Sequence, residues 1–295
     1  MQLLESAVTD AIELDDQHWD RAQRIHNLQV LDGVLCRGDV NVNKLYPMSN
    51  TMLQLAVVEG DIDVVDTLLK RGANPNMVFL GESFGKSFEQ NSLWQCLDCL
   101  YDDKRYDIAL ALIRAGAYID TRFSDRHCTL LEMCCRKRDV HFSQILLEHN
   151  ASVHTMSRGQ TLLYSTVGDF SSWGNIIEMI QLLIHYGVDI TQKTDENETL
   201  LHVMARGPKS FNYDLINFLV EHGVEDSRDN ASMTAGDIAL EMALIMDNFD
   251  PKYEEFARCL EQIFKRLKNK MNVFALRPHY NNGPPGGFYR IRNGV

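Results

Sequence analysis

Cysteine and histidine are the residue types in this 295-residue chain best suited to metal or nucleophilic chemistry, with seven and ten copies respectively. Cys96-x-x-Cys99 has the spacing of half a zinc site, and Cys128, Cys134, Cys135, His127 and His141 are further candidate ligands. A structural zinc site needs four ligands, and no second Cys-x-x-Cys or His-x3-His is present to complete one. Free cysteine is also a common core residue that packs as a small apolar group. The expectation is therefore no metal and no cofactor. A thiol nucleophile at Cys128 or Cys135, served by a distant histidine, would suit a small hydrolase or modifying enzyme. The sequence has no Gly-x-Ser-x-Gly, no Gly-x4-Gly-Lys-[Ser/Thr], no His-Glu-x-x-His and no Gly-x-Gly-x-x-Gly. The chain reads as a non-enzyme, with a Cys-dependent enzyme as the lesser alternative.

Charge narrows the choice of partner. Against 41 Asp and Glu stand 29 Lys and Arg, a net −12. Nucleic acid and membrane surfaces are themselves anionic, so both are excluded as expected partners. No run of about 18 apolar residues predicts a membrane span. The opening MQLLESAVTDAIELDDQHWD lacks the basic start and apolar core of a secretory signal. An odd number of scattered cysteines reads as reduced thiols, hence a reducing compartment such as the cytoplasm, with the nucleus or a host cytosol left open.

The elements that must position any site emerge from self-similarity. Thr51-Met-Leu-Gln-Leu-Ala56 is followed by Gly60-Asp61, then Val64-Val65-Asp-Thr-Leu-Leu69, then Lys70-Arg-Gly-Ala-Asn-Pro-Asn76. The phrase returns with openings at Ser92, Thr129, Thr161 and Thr199 and closings at Gly72, Gly116, Asn150, Gly187 and Gly223. Each unit reads as a short apolar helix, a break, and a second helix ending near a Leu-Leu pair. Leu53, Leu55, Val64, Val65, Leu68 and Leu69 recur at helical spacing and form the expected core. Asp61 is placed to accept from the free N–H groups of the second helix. Gly72 fits a left-handed cap, and Asn150 takes that place in its own unit. Cys96 falls on a core Leu position and Cys134 on a core Ala position. Histidines at 149, 185 and 222 repeat with the units, which points to packing or carbonyl capping. One helix pair cannot bury its own apolar stripe, so the units must stack.

This pattern resembles the ankyrin repeat, whose signature is Thr-Pro-Leu-His-x-Ala over about 33 residues. The resemblance runs over roughly residues 28–245, best at 50–76 and next best at 199–224. It departs from the signature after each opening residue, where Met52, Leu93, Leu130, Leu162 and Leu200 stand in place of Pro. The resemblance implies an all-α solenoid of stacked helix-turn-helix units with short β-hairpin fingers and divergent capping units at both ends. The expected organisation is a divergent N-terminal cap at 1–43, with Trp19 and Ile25 on its helices, and a repeat stack at 44–245. A C-terminal capping helix at 246–270 and a flexible tail at 271–295 follow. The tail carries Gly-Pro-Pro-Gly-Gly, three Arg and no acidic residue. The amphipathic stretch 252–270 puts Phe256, Leu260, Ile263, Phe264 and Leu267 on one face.

The resemblance also implies a function, protein–protein interaction through a concave face of fingers and first helices. Carried over unit by unit, its exposed positions fall on Arg126, Arg136 and Lys137 beside Arg138, and on Arg158 and Arg206. These form an expected basic island for an acidic or mixed-charge partner segment, opposite Asp195, Glu196 and Glu198. The bland counterpart is a solvated face neutralised by its own carboxylates. Long connections add aromatics that could anchor a partner: Phe79, Phe84 and Phe88 in 77–90, Phe170 and Trp173 in 167–175, Phe211 and Tyr213 in 206–213. Phe84, Phe170 and Trp173 are the candidates retained; Phe79 and Phe211 are expected to cover helix ends. An adaptor, regulatory or host-targeting protein that bridges two partners is the alternative function. Whether the chain self-associates is left open.

Overall fold

The computed structural model describes residues 21–275 apart from 38–39, 46–50, 84–85, 100–102, 123–127, 155–160, 169–175, 207–212 and 246–250. Thirteen helices and one antiparallel hairpin lie among the described residues. Helix α1 (Arg21–Leu35) precedes six helix pairs: α2 (Met52–Glu59) with α3 (Ile62–Lys70), α4 (Ser92–Cys99) with α5 (Lys104–Arg114), α6 (Leu130–Lys137) with α7 (Val140–Glu148), α8 (Leu162–Gly168) with α9 (Ile176–His185), α10 (Leu200–Arg206) with α11 (Tyr213–Glu221), and α12 (Ala235–Ile245) with α13 (Pro251–Ala275). The second helices stack in one row, α1 on α3 and so on through α11 on α13. First helices form the other row, with α2 on α4, α6 on α8, α8 on α10 and α10 on α12. The core is the seam between the rows, a single cluster from Leu31 to Ile263.

The missing prolines do not weaken the helix starts, because side chains do the capping. The Thr51 hydroxyl accepts from the Gln54 N–H, and the Gln54 side chain accepts from the Thr51 N–H. That is a reciprocal capping box. Thr129 with Glu132 supplies the hydroxyl half of such a box, and Thr234 with Asp237 supplies both halves. In the last full unit His202 takes the third position: its Nδ1 accepts from the Thr199 N–H. The ring proton therefore sits on Nε2, which donates to the Met233 carbonyl of the next unit. Gln54 reaches the Met77 carbonyl, and the Tyr164 hydroxyl donates to the Glu198 carbonyl. At 54, 132, 164, 202 and 237 the third residue after the opening thus caps its own helix or ties it to its neighbour.

The register at the second full unit needs a correction. Helix α4 is capped by Asn91, whose Oδ1 accepts from Trp94 N–H, so the opening residue is Asn91 and not Ser92. Cys96 then matches Ala56 rather than a Leu position, and it is buried as that small-residue site requires. The identity of the opening residue, Asn instead of Thr or Ser, hid this shift.

The closings fall where the sequence puts them. Gly72, Gly116, Asn150, Gly187 and Gly223 all have φ between 66° and 92°. In each unit the next residue returns an N–H to a carbonyl in the last helical turn: Ala73 to Leu68, Ala117 to Leu112, Ala151 to Leu146, Val188 to Leu183 and Val224 to Leu219. This satisfies carbonyls that the helix leaves open. A Cβ added at Gly72 would meet nothing within 4 Å, so the cost of Gly72→Ala is backbone strain alone. That cost is about 1–2 kcal/mol, read as a fall in the urea midpoint. A variant as stable as wild type would remove the left-handed cap from the account.

Just beyond the closings, a side-chain ladder links the turns. Asn43 donates to the Gly72 carbonyl and accepts from Asn74 N–H; Asn76 does the same with the Gly116 carbonyl and Tyr118 N–H. Asp120 accepts from Ser152 N–H, and Asn197 donates to the Arg228 carbonyl. Each rung joins one unit to the next.

Connection 77–90 is a paired hairpin, not an open loop. Strand β1 (Phe79–Ser83) runs antiparallel to β2 (Lys86–Gln90), with Phe79 opposite Gln90 and Gly81 opposite Phe88. Phe79 is buried. Helix α13 buries Phe256, Leu260 and Ile263 against α12, and Phe264 packs at the cluster's edge. Trp19 and the tail beyond residue 275 lie outside the described residues.

Candidate interaction surface

Arg136 and Arg206 end two first helices, α6 and α10. Arg136 donates to Glu132 Oε1 at 2.7 Å, one helical turn back. Glu132 is 2% exposed and also accepts from Ser165 Oγ on α8 at 3.0 Å. Its burial is tolerable because it sits in the first turn, where open N–H groups favour a carboxylate, and because a cation faces it. Arg206 pairs in the same way with Glu198, a buried carboxylate just before the cap Thr199. Burial opposes the Arg206 charge, but the hydrogen bond to Glu198 outweighs it and holds the guanidinium above the ordinary arginine value. The two arginine side chains remain 38% and 47% exposed. Lys137 is exposed, and its Nζ donates to the Leu97 carbonyl on α4 at 3.0 Å.

Arg136 and Lys137 are therefore adjacent at the end of α6, while Arg206 ends the first helix two units on. Arg126, Arg158, Phe84, Phe170 and Trp173 lie outside the described residues, as does Phe211. Tyr213 opens α11 and is exposed.

Apolar side chains that face solvent were harder to anticipate. Leu55, assigned above to the core, is 36% exposed, and Val58 three residues on shares its face of α2. The true core residues of α2 are Met52, Leu53, Ala56 and Val57. Leu55 was misplaced because α2 is apolar nearly all round, so period alone does not choose its buried side. Val78 and Tyr118 are exposed in the turns, Tyr118 by 68%. Tyr118 stands where the first full unit has Asn74, between Gly116-Ala117 and Asp120. An aromatic in place of a turn asparagine was a visible signal that went unused.

The thiols are placed for packing. Cys96, Cys128, Cys134 and Cys135 are buried, and Cys36 is exposed. Burial pushes the Cys135 thiol up to about 12, despite hydrogen bonds with Thr166 and Ser143 that favour the thiolate. Burial also raises the Cys134 thiol, with Asp139 nearby adding to the rise. A nucleophilic thiol needs the opposite shift and access. Iodoacetamide at pH 8 should label Cys36 and spare Cys134 and Cys135 until urea is added, as read by peptide mass spectrometry. Native labelling of Cys135 as fast as Cys36 would contradict this placement. His149 and His222 each place Nδ1 against the carbonyl one turn back, Ile145 and Phe218, which is carbonyl capping.

The family model "Ankyrin repeat" matches residues 49–78. The solved ankyrin repeat domain of Bcl-3, described as a unique member of the IkappaB protein family, superposes with a TM-score of 0.58 at 19% identity. It covers 79% of this chain and 92% of that one. The human ASB11 ankyrin repeat domain gives a TM-score of 0.56 at 17% identity, over 89% of this chain and 97% of that one. The chain has the ankyrin-repeat fold, and the family model recognises one of its units. Among curated proteins it is similar to the nuclear factor NF-kappa-B p105 subunit of Gallus gallus, 26% identical over 233 residues. That match takes 72% of this chain, and the ankyrin stack spans only 22% of the relative's length. Ankyrin repeats are in general protein-interaction modules rather than enzymes.

Proposed function

We propose that this ankyrin stack is a non-enzymatic module that binds a partner protein through its row of first helices and the adjoining turns. The observation that carries the reading is the combination of solvent-facing Leu55, Val58 and Tyr118 with half-exposed arginines held by buried carboxylates. Apolar and aromatic anchors supply most interface energy. An arginine already fixed by its own carboxylate loses little freedom on binding, which lowers the cost of association. The pairing also tempers the basic island, so the partner segment is apolar with acidic or mixed charge rather than strongly acidic. The odd number of scattered cysteines in the sequence supports a reducing compartment such as the cytoplasm as part of this proposal.

Affinity capture from cell lysate, with wild type beside a Leu55→Ser/Tyr118→Ser variant, tests the reading. Both positions are solvent-facing, so the variant should melt close to wild type. The expected result is a partner retained by wild type and lost by the variant. Retention of the same partners by both proteins would overturn the assignment of this face.

A further inference from the structure

On the side of the second helices, α5, the α6–α7 junction and α7 line an open cavity of about 480 Å³. Arg105 and Tyr106 reach it from α5, Lys137 and Arg138 from the junction, and His141 and Gln144 from α7. The junction is unusual. In the first full unit the same position is Gly60, at φ 73°, followed by the cap Asp61. Here Arg138 stands before Asp139, at φ 55°, with its side chain buried. A non-glycine residue adopts that backbone only at a steric cost. Glycine would fill the turn without that cost; the arginine instead places a cation in the cavity wall.

Two carboxylates also line the cavity. Asp139 is engaged within the wall: it caps Phe142 N–H, accepts from the Tyr106 hydroxyl at 3.2 Å and faces the Arg105 guanidinium at 2.8 Å. Arg105 in turn donates to the Tyr106 hydroxyl and lies over its ring, so its position is fixed. Glu178, from α9, is the other. Three cations on two neighbouring units thus line one concavity in a chain of net charge −12, Lys137 with its Nζ also donating to the Leu97 carbonyl.

We propose that this cavity binds a phosphoryl group carried on a side chain of the partner protein, with Arg105, Lys137 and Arg138 as the cationic donors. A phosphate monoester carries nearly two charges at neutral pH and accepts hydrogen bonds from several directions. Cations arriving from separate elements match that geometry, whereas a planar carboxylate is served by one fork-like arginine. The cavity volume admits the group together with the side chain that bears it. The source of the group rests on the protein-binding reading above; the chemistry of the cavity does not.

Arg138→Gly is the informative substitution, because it relieves the backbone and removes the cation together. The probes are N-acetyl-phosphoserine amide, N-acetyl-phosphotyrosine amide, N-acetyl-serine amide and inorganic phosphate at constant ionic strength. Binding is followed by amide chemical shifts of Arg105, Val140 and His141. Wild type should bind at least one phosphoamino-acid amide saturably and ignore the serine amide. Arg138→Gly should melt at or above the wild-type temperature and bind about tenfold more weakly. Lys137→Ala should weaken binding in the same direction. A lower melting temperature for Arg138→Gly with unchanged binding would make the arginine a packing residue and overturn the proposal. Binding of inorganic phosphate without either phosphoamino-acid amide would overturn the side-chain source. If no probe shifts these amides while Leu55-dependent capture succeeds, this inference fails alone. If probes bind but no partner is captured, the protein-binding reading fails and the cavity's chemistry stands.

Discussion

Leu68→Ala is expected to lower the unfolding free energy by about 2–5 kcal/mol, while Leu69→Ala costs clearly less. The two leucines look alike in sequence. In the fold they differ: Leu68 is fully buried between the helix rows, and Leu69 is partly exposed on the same helix. Truncating Leu68 removes its transfer energy and leaves a hole that neighbouring Val64, Val65 and Ala56 cannot fill without moving a helix. Leu69 leaves a dent that water enters. Urea titration followed by circular dichroism reads both variants. Equal losses would mean the helix is rotated from its described orientation.

Arg136→Glu is expected to destabilise the stack by about 1–3 kcal/mol, with Arg136→Gln intermediate between it and wild type. The reason lies behind the arginine. Glu132 is buried and held by Arg136 and Ser165. A neutral residue at 136 removes its counter-charge; a glutamate adds repulsion across one helical turn. The half-exposed arginine keeps the figure below that for a fully buried pair. Reversing the charge at 136 and 137 would therefore perturb stability as well as the basic island. Thermal melts of the three proteins separate the effects. A glutamine variant as unstable as the glutamate variant would mean that repulsion contributes nothing.

The repeat order, the break at Gly60-Asp61 and all five left-handed closings were legible in the sequence, because each rests on local backbone chemistry that few residues satisfy. The one register slip came at Asn91, where capping chemistry was right but carried by a different side chain. Burial in α2 was not legible: an apolar helix without a polar stripe gives no phase, so Leu55 and Leu53 are equivalent until neighbours are placed. The ion pairs were half visible. Glu132 and Arg136 sit at helical contact spacing, but the burial of Glu132 depends on α8 packing across it. The cavity beside Arg138 was not legible, since its walls come from successive units, with Tyr106 and Asp139 33 residues apart in the chain. The substitution of arginine for glycine before a cap aspartate was its trace in the sequence.

The asparagine ladder sets how the molecule responds to load. Each described rung, Asn43 to Gly72 and Asn76 to Gly116 among them, connects only adjacent units. Tension applied to the two termini therefore passes through the rungs in series, and the weakest one yields while the others hold. In an optical trap the extension trace should show a staircase rather than one rupture, each step releasing one repeat's worth of chain, on the order of 100 Å. Such a chain gives way gradually and re-forms from whichever units still stand, as a spring would.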